Sequence, residues 1–292
     1  MTAPTATPST AAPRPASAGI GVSRLELIPA ALAPREVLDC ELDVLGHWYG
    51  DTAQLLEDSY GPYVEQSAFL AVTRDDGLVL GAARVIGPGA LPLKTVTDIG
   101  KEPWSVDGEA ALAAAGVDLA RTWDVATIAV RRELGAAGRG IAGALYHGLI
   151  HAAPGSGCPW LVSIIDRRAR ALLVAVGLPM HDVPGTGARH YMGSGACAPT
   201  WMHLPTTVER QRRLDPQAHG LVTQGRGLDV ELPAPADLRW WAPGVARASA
   251  PPATTLLLPD AGLRAEGEAD VVDVSRGESV PRLDPSVPAP RR

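Results

Sequence analysis

Cysteine is scarce in this sequence, and the few that occur exclude the usual cysteine-built sites. The 292 residues contain three cysteines, Cys40, Cys158 and Cys197, and no Cys-x-x-Cys pair. An odd number at wide spacing predicts neither a disulfide framework nor a zinc-binding knuckle. We expect all three side chains to be buried as free thiols.

Long apolar runs and a surplus of basic residues are missing as well. No window approaches the roughly 20 apolar residues of a membrane-spanning helix, and prolines interrupt the N-terminal stretch where an export signal would need its apolar core. A net charge of −6 argues against nucleic acid as a partner, because such a partner requires a basic face. We therefore expect a cytoplasmic protein without a membrane span, and the sequence leaves its oligomeric state open.

The distribution of apolar residues predicts one domain with a tail at each end. Residues 1–19 are almost wholly Ala, Pro, Thr and Ser, which bury too little apolar surface to offset chain entropy, so we expect a disordered N-terminal tail. Residues 20–205 show strong strand and helix periodicity and are predicted to form the folded domain. Residues 206–292 form a C-terminal extension, in which the capping-box spacing of Thr206 and Glu209 predicts one short helix before a mostly irregular, proline-rich tail.

Within residues 20–205 the periodicity of the apolar residues predicts alternating strands and helices. Two β-prone runs, 69–73 and 78–86, flank an Asp-Gly turn and give the strongest hairpin signal. The other predicted elements are strand 21–27, helices 34–48 and 52–60, strand 122–130, helix 140–152, strand 159–165, helix 167–176, and strands 180–192 and 197–204. The segment between residues 87 and 102 is predicted to be a loop.

The most informative segment is residues 127–145, where a strand-like run passes through a glycine-rich turn into a helical pattern. The turn offers backbone N–H groups at Gly138, Arg139 and Gly140, and the following helix begins with four unpaired donors and a partial positive charge. No Asp or Glu occurs in residues 134–165, so no carboxylate competes for these donors. The segment therefore predicts a binding site for a phosphate-bearing ligand.

The order of elements and this segment resemble the GNAT superfamily of acyl-CoA N-acyltransferases over roughly residues 21–204. The family motif is Arg or Gln, two residues, Gly, one residue, and Gly or Ala. In this chain Ala137 replaces the Arg or Gln, while Gly140 and Ala142 match the last two positions. The resemblance implies a mixed α/β fold, with a mostly antiparallel sheet of six to seven strands flanked by helices. A weaker likeness, in residues 81–86 and 124–130, is to acyl-amino-acid and acyl-homoserine-lactone synthases.

The resemblance implies acetyl-CoA or a longer acyl-CoA as co-substrate, a small-molecule amine as acceptor, and no metal. The residues that it assigns to CoA are Ile128, Val130, Gly138, Arg139, Gly140, Ile141, Ala142 and Asp166. Asp166 stands where the family has Asn, and Leu173 stands where many members have the Tyr that protonates the leaving thiolate. Two hypotheses follow: an N-acyltransferase acting by direct attack, or a non-catalytic acyl-CoA-binding scaffold of the same fold. A dinucleotide site is disfavoured because no Gly-x-Gly-x-x-Gly follows the strand.

Three residues are candidates for the chemistry that the resemblance implies. If the strand at 127–130 parts from the strand at 161–165, the N–H of Val130 can polarise the thioester carbonyl; the alternative is a plain buried strand pair. Asp124, in an apolar strand, is the candidate general base, with a pKa raised by desolvation. Its alternative is a strand-edge acid paired with an arginine. Arg84 is the candidate partner of an acceptor carboxylate, and otherwise an exposed-face arginine.

His147 and His151 have a spacing that can ligate metal, four residues apart on a predicted helix. They lie about 200° from the apolar stripe of that helix at ~3.6 residues per turn. We therefore expect both on the solvent side, with no third ligand and no metal site.

Overall fold

A computed structural model describes residues 21–242 as one sheet with helices on both faces. The predicted tail at residues 1–19 and the extension beyond residue 242 lie outside the described residues. Within residues 21–242, no helix is both long enough and apolar enough to cross a membrane. Cys40, Cys158 and Cys197 are free and buried, as predicted.

Eight strands form the sheet. Their bounds are β1 Ser23–Pro29, β2 Ser67–Arg74, β3 Val79–Ile86, β4 Thr122–Val130, β5 Trp160–Asp166, β6 His181–Asp182, β7 Arg189–Tyr191 and β8 Ser194–His203. The order is β1-β2-β3-β4-β5-β8-β6, with β7 also on β8, and among these strands only β4 and β5 pair in parallel. The predicted mixed, mostly antiparallel sheet is confirmed. It has eight strands because the predicted strand 180–192 is two short ones, separated by a turn at residues 183–186.

Eight α-helices complete the described fold. Their bounds are α1 Arg35–Tyr49, α2 Ala53–Tyr60, α3 Lys94–Ile99, α4 Gly108–Ala114, α5 Gly138–Gly155, α6 Arg167–Ala175, α7 Leu204–Leu214 and α8 Pro216–Gln224. The first helix ends at Gly50, whose φ of 75° gives the left-handed conformation common at helix ends. Thr52 caps α2 by accepting a hydrogen bond from the Leu55 N–H at 3.1 Å. Thus α1 and α2 form close to their predicted bounds, whereas α3 lies where a loop was predicted.

Successive side chains of a strand point to opposite faces of the sheet, so those of β2 pack against two different groups of helices. Leu70 and Val72 face α5, in the largest apolar cluster, whereas Phe69 and Ala71 face α1. The fit against α5 is close, because a Cβ on Gly81 would lie 2.7 Å from the Cγ2 of Ile141. The helices α3 and α4 cover β5 and β8 on the α1 side. The sheet therefore has one face under α1–α4 and the other under α5 and the helices that follow it.

The region after residue 204 contains the predicted short helix, α7, which ends before Pro216, but its start and the residues that follow differ from the prediction. Thr206 does not cap a helix, since α7 begins at Leu204 and the Thr206 hydroxyl bonds with the ring of His203 at 2.7 Å. Pro216 begins a second helix, α8, in the first-turn position that suits proline. Leu238 and Trp240 are buried in the main cluster. Residues 204–242 therefore belong to the same compact unit as the strands, not to an irregular extension.

Candidate functional site

The strands β4 and β5 pair at one end only. Their parallel pairing covers three residue pairs and stops at Asp124 and Val162. At the next step β4 has a bulge at Ala126, because Val85 pairs with Val125 while Arg84 pairs with Thr127. A bulge bends the strand that contains it, so β4 follows β3 while β5 remains paired with β8. The parting predicted from the family resemblance is present.

The parted edge of β4 presents backbone groups that β5 does not use. The N–H of Arg131 donates to the Leu80 carbonyl at 3.0 Å, on the β3 side. Because successive residues of a strand point their backbone groups to opposite sides, those of Ile128 and Val130 point away from β3, toward the gap. Two residues assigned to CoA by resemblance therefore lie together on this edge.

The N-terminus of α5 lies at the end of β4 and carries no side-chain cap. A Cβ on Gly138, its first residue, would lie 3.3 Å from the Cγ1 of Val130, while one on Gly140 would meet no atom within 4 Å. The first turn holds no acidic residue. The helix starts two residues earlier than predicted, and the left-handed turn glycine is Gly135, with a φ of 52°. Gly138 is buried and its N–H already donates to the Gly135 carbonyl, so this predicted donor is not free. Arg139 is exposed at this end, and Gly140 beside it is half-buried.

The remaining members of the predicted CoA set have mixed surroundings. The Ile141 side chain is buried against the sheet, and Ala142 packs at the border of the same cluster. Asp166 caps α6, since its Oδ1 accepts from the Ala169 N–H at 2.6 Å and its Oδ2 from the Tyr49 hydroxyl at 2.7 Å. Burial, followed by this bond to Asp166, raises the pKa of Tyr49 above its usual range. Sequence reasoning missed Tyr49, which has no local signal.

Asp124 is 1 % exposed and lies at the point where the strands part. Its Oδ1 accepts from the Thr95 hydroxyl at 2.9 Å and its Oδ2 from the Thr95 N–H at 2.5 Å, in the first turn of α3. Burial raises the pKa of Asp124 to about 6, against the opposing effect of these two bonds. The predicted desolvation is present, whereas the alternative of a strand-edge acid paired with arginine is wrong.

Arg84 is buried in a bidentate pair with Glu41 of α1. Its Nε lies 3.0 Å from Oε1 and its Nη2 lies 2.5 Å from Oε2, and Oε1 also accepts from the Thr127 hydroxyl. The guanidinium lies 4.8 Å and 4.4 Å from the ring centres of Tyr60 and Phe69. The alternative of an arginine on an exposed face is therefore wrong. The carboxylate that Arg84 binds in this structure is that of Glu41, not that of an acceptor.

Glu41 was missed although the sequence contains a signal for it. The buried residues of α1 include Val37, Val44 and Leu45, and Glu41 falls in phase with them. An acid on the apolar stripe of a helix requires a buried partner. A second ion pair, between buried Lys94 and half-buried Asp98, lies nearby, and the Lys94 Nζ lies 3.1 Å from the Tyr191 hydroxyl.

The prediction for the two histidines of α5 is wrong in part. His147 is 4 % exposed, because α8 covers this side of α5 and the Val222 carbonyl accepts from His147 Nδ1 at 3.0 Å. His151 bonds to the Thr223 carbonyl through Nε2 at 2.8 Å. Within residues 21–242, no group of three or more His, Cys, Asp or Glu side chains is arranged to hold a metal ion.

Several solved structures are similar to this chain. A CoA-dependent acyl-homoserine lactone synthase, BjaI, aligns with 74% of this chain and 97% of its own, at 15% identity and a TM-score of 0.49. An N-acyl amino acid synthase from uncultured soil microbes, FeeM, aligns with 64% and 97%, at 16% identity and 0.44. An acetyltransferase of the GNAT family from Desulfovibrio desulfuricans aligns with 63% and 99%, at 15% identity and 0.40. No family model and no curated protein matches the sequence.

At these identities the similarity is one of fold. The geometry of the site rests on this chain's own strands: the bulge at Ala126, the three-residue pairing of β4 with β5, and the uncapped start of α5.

Proposed function

We propose that this protein is an acyl-CoA-dependent N-acyltransferase, which moves an acyl group from a CoA thioester to the primary amine of a small molecule. The observation that carries the proposal is the parting of β4 from β5 beside the uncapped, acid-free start of α5. A parted strand edge can pair with the amide groups of pantetheine, and free N–H groups at a helix start bind phosphate. The two features lie end to end, as a thioester linked to a pyrophosphate requires.

Different residues bind different parts of acyl-CoA in this proposal. The backbone N–H groups of Arg139 and Gly140 hold the pyrophosphate, with the guanidinium of Arg139 supplying the charge that Ala137 lacks. Backbone groups of Ile128 and Val130 pair with pantetheine. Val130 lies beside Gly138 and six residues from Asp124, about 20 Å along an extended strand at ~3.3 Å per residue, so its N–H serves pantetheine near the pyrophosphate, not the thioester as predicted. The thioester carbonyl then lies farther along β4, near the bulge at Ala126 and Asp124.

The reaction is a direct attack without a covalent enzyme intermediate. The amine nitrogen bonds to the thioester carbonyl carbon, the carbon–sulfur bond breaks, and its electron pair leaves on sulfur as a thiolate. The proton lost by the amine passes to Asp124, whose pKa of about 6 suits a base near neutral pH. The two Thr95 bonds leave each carboxylate oxygen a second lone pair. A thiolate needs no proton donor to leave, which fits Leu173 in place of tyrosine.

A second candidate is an acyl-CoA-binding scaffold without turnover. It is favoured by one observation: both oxygens of Asp124 already accept bonds from Thr95, which anchors α3 to the sheet. Such a protein would bind acyl-CoA at the same gap and release no CoA when amines are added.

Gly140 offers a test of the binding site that does not disturb the fold. A side chain there meets no protein atom within 4 Å. Gly140→Glu places a carboxylate in the first turn, where it favours the helix but repels a phosphate. We expect calorimetry with CoA to show at least a tenfold loss of affinity for Gly140→Glu and a smaller loss for Gly140→Ala, with both variants unfolding at or above the wild-type temperature.

Turnover separates the two candidates. With acetyl-CoA and a panel of amines, thiol release that Gly140→Glu abolishes supports the acyltransferase. Saturable binding of acyl-CoA without thiol release for any amine supports the scaffold. Absence of saturable CoA binding by the wild-type protein overturns both.

A further inference from the structure

The first turn of α3 places a buried lysine next to the residue that binds Asp124. Thr95 bonds to both carboxylate oxygens of Asp124, and Lys94 directly precedes it in the chain. The Lys94 side chain is 11 % exposed, and it pairs with the carboxylate of Asp98 one turn later on the same helix. The roles given above assign no function to Lys94 or to Asp98.

Lys94 and Asp98 act on the charge of Asp124 in opposite directions. Burial raises the pKa of Asp124 to about 6 and the two Thr95 bonds oppose this rise. Of the neighbouring charges, the ammonium of Lys94 lowers that pKa and the carboxylate of Asp98 raises it. A cation favours the ionised form of a nearby carboxyl group and an anion favours the protonated form, and both effects are screened little in a buried site.

The tyrosines that face Asp124 from other elements keep one charge state while it titrates. They are Tyr60 of α2, Tyr63 in the turn that follows α2, and Tyr191 of β7, and burial raises the pKa of each above its ordinary value of about 10. All three are therefore neutral near pH 6. The buried ion pair between α1 and β3 adds no net charge. The charges that most affect Asp124 in this range are those of Lys94 and Asp98.

The ammonium of Lys94 is held in a fixed place. Besides the ion pair with Asp98, its Nζ lies 3.1 Å from the Tyr191 hydroxyl, which itself donates to Asp98. The centre of the Tyr60 ring lies 5.2 Å from the same atom. A charge held by three groups acts on Asp124 from a constant position, as a freely rotating surface lysine does not.

We propose that Lys94 is a positioning residue for Asp124, whose ammonium keeps that side chain in the carboxylate form that takes the proton of the amine, and that Asp98 limits this effect. The proposal rests on the acyltransferase function above and names the residues that regulate its base. Asp98 has two opposed effects, because it fixes the ammonium and also partly cancels its charge.

Lys94→Met and Asp98→Asn separate charge from structure, because both remove the same ion pair. A purely structural pair predicts that the two variants change turnover in the same way. We expect opposite shifts instead. The pH at which kcat/KM rises should move up by about one unit in Lys94→Met and should move down in Asp98→Asn. Lys94→Arg, which retains the positive charge, should remain close to the wild type.

Lys101→Met is the matched control, since Lys101 is the other lysine of the sequence. It also lies beside Asp98, with its Nζ 4.0 Å from Oδ1, but its side chain is 69 % exposed. Water and salt screen an exposed charge, so this variant should show the pH profile of the wild type. An equal shift in Lys101→Met and Lys94→Met would overturn the proposal.

The titration of Asp124 can also be followed without turnover, by the ¹³C chemical shift of its carboxylate in the wild type and in each variant. Asp124→Asn identifies the signal. The midpoint should lie higher in Lys94→Met and lower in Asp98→Asn. Equal midpoints, or shifts in the same direction, overturn the proposal. If Lys94→Met does not fold, a midpoint in Asp98→Asn that is unchanged or raised still does so. Opposite shifts in a protein that releases no CoA with any amine would overturn the acyltransferase function and leave the effect of Lys94 on Asp124 standing.

Discussion

Buried charge in this protein is organised around the ring of Tyr60. The Arg84 guanidinium lies 4.8 Å from the centre of that ring and the Lys94 Nζ lies 5.2 Å from it. Each cation has its own acid, Glu41 for Arg84 and Asp98 for Lys94. A buried pair of this kind adds little stability relative to apolar side chains of equal volume, but removal of one member leaves a charge without compensation.

The Glu41–Arg84 pair should therefore behave non-additively on mutation. Glu41→Leu leaves the guanidinium buried and unpaired, and we expect a loss of about 3–5 kcal/mol in the free energy of unfolding, measured with denaturant. The double variant Glu41→Leu/Arg84→Met should recover most of that loss. Asp39→Ala, which breaks the exposed pair with Arg35 on the same helix, should unfold close to the wild type. Additive losses in the double variant would contradict this account.

Asp124 should control the pH dependence of turnover if it is the base. Its pKa is raised to about 6, so kcat/KM should rise as the pH increases through 6 and level off above it, because only the carboxylate accepts a proton. Asp124→Asn should remove this limb and lower kcat at least about a hundredfold. Thr95→Val removes a bond that lowers the pKa, so the limb should move to higher pH. If Asp124→Asn lowers the free energy of unfolding but leaves kcat and its pH dependence unchanged, Asp124 has a structural role only.

The contacts of some site residues could be predicted from the sequence, and those of others could not. Glu41 was within reach, because an acid in phase with the apolar residues of α1 requires a buried partner. Thr95 and Tyr49 were not, since they meet Asp124 and Asp166 across 29 and 117 positions of the chain. Local periodicity contains no information on such pairs, which depend on how the helices are placed over the sheet.

At the scale of elements, α5 shows why helix phase alone is a poor guide to exposure. The apolar stripe of this helix, Ile141, Leu145 and Leu149, packs in the main cluster with the sheet. The opposite side was expected to face solvent, but α8 packs there and buries His147. A helix between a sheet and another helix is covered on two sides, and its own sequence indicates only the more apolar of the two.

The contact between α5 and α8 should make stability depend on pH. Burial, and then the neighbouring His151, lower the pKa of His147 from 6.5 to about 4. The neutral ring is the native form, so its contribution is complete above pH 6.5 and is lost as the pH falls toward 4, by roughly 2–3 kcal/mol in all. His147→Gln, which retains a donor for the Val222 carbonyl, should flatten this part of the curve of unfolding free energy against pH.

The exposed His47 of α1 provides the control for this measurement. His47→Gln should leave the slope between pH 6.5 and 4 as in the wild type. A slope that persists unchanged in His147→Gln would contradict this account.

At the scale of the whole molecule, residues after 204 pack against the main apolar cluster and complete the core. The ring of Trp240 lies 5.8 Å from that of Trp123 in β4, and the backbone N–H of Trp240 donates to the Ser156 hydroxyl at 2.9 Å. The Leu25 N–H donates to the Glu231 carbonyl at 2.9 Å, which places this segment along the edge strand. Prolines and weak periodicity favoured a tail here, yet Pro216 begins a helix. The core contacts of such a segment are all long-range, so no local pattern predicts them.

If this segment completes the core, its buried leucine should matter as much as one in a strand. Leu238 is 0 % exposed, whereas Leu214, on α7, is 72 % exposed. We expect Leu238→Ala to cost about 2–5 kcal/mol in the free energy of unfolding, because it leaves a cavity in the main apolar cluster. Leu214→Ala should stay within about 0.5 kcal/mol of the wild type. Equal, small effects of both would mean that residues 20–205 fold without the extension. The larger loss expected for Leu238→Ala would instead make the segment up to residue 242 part of the fold that holds β4 at the site.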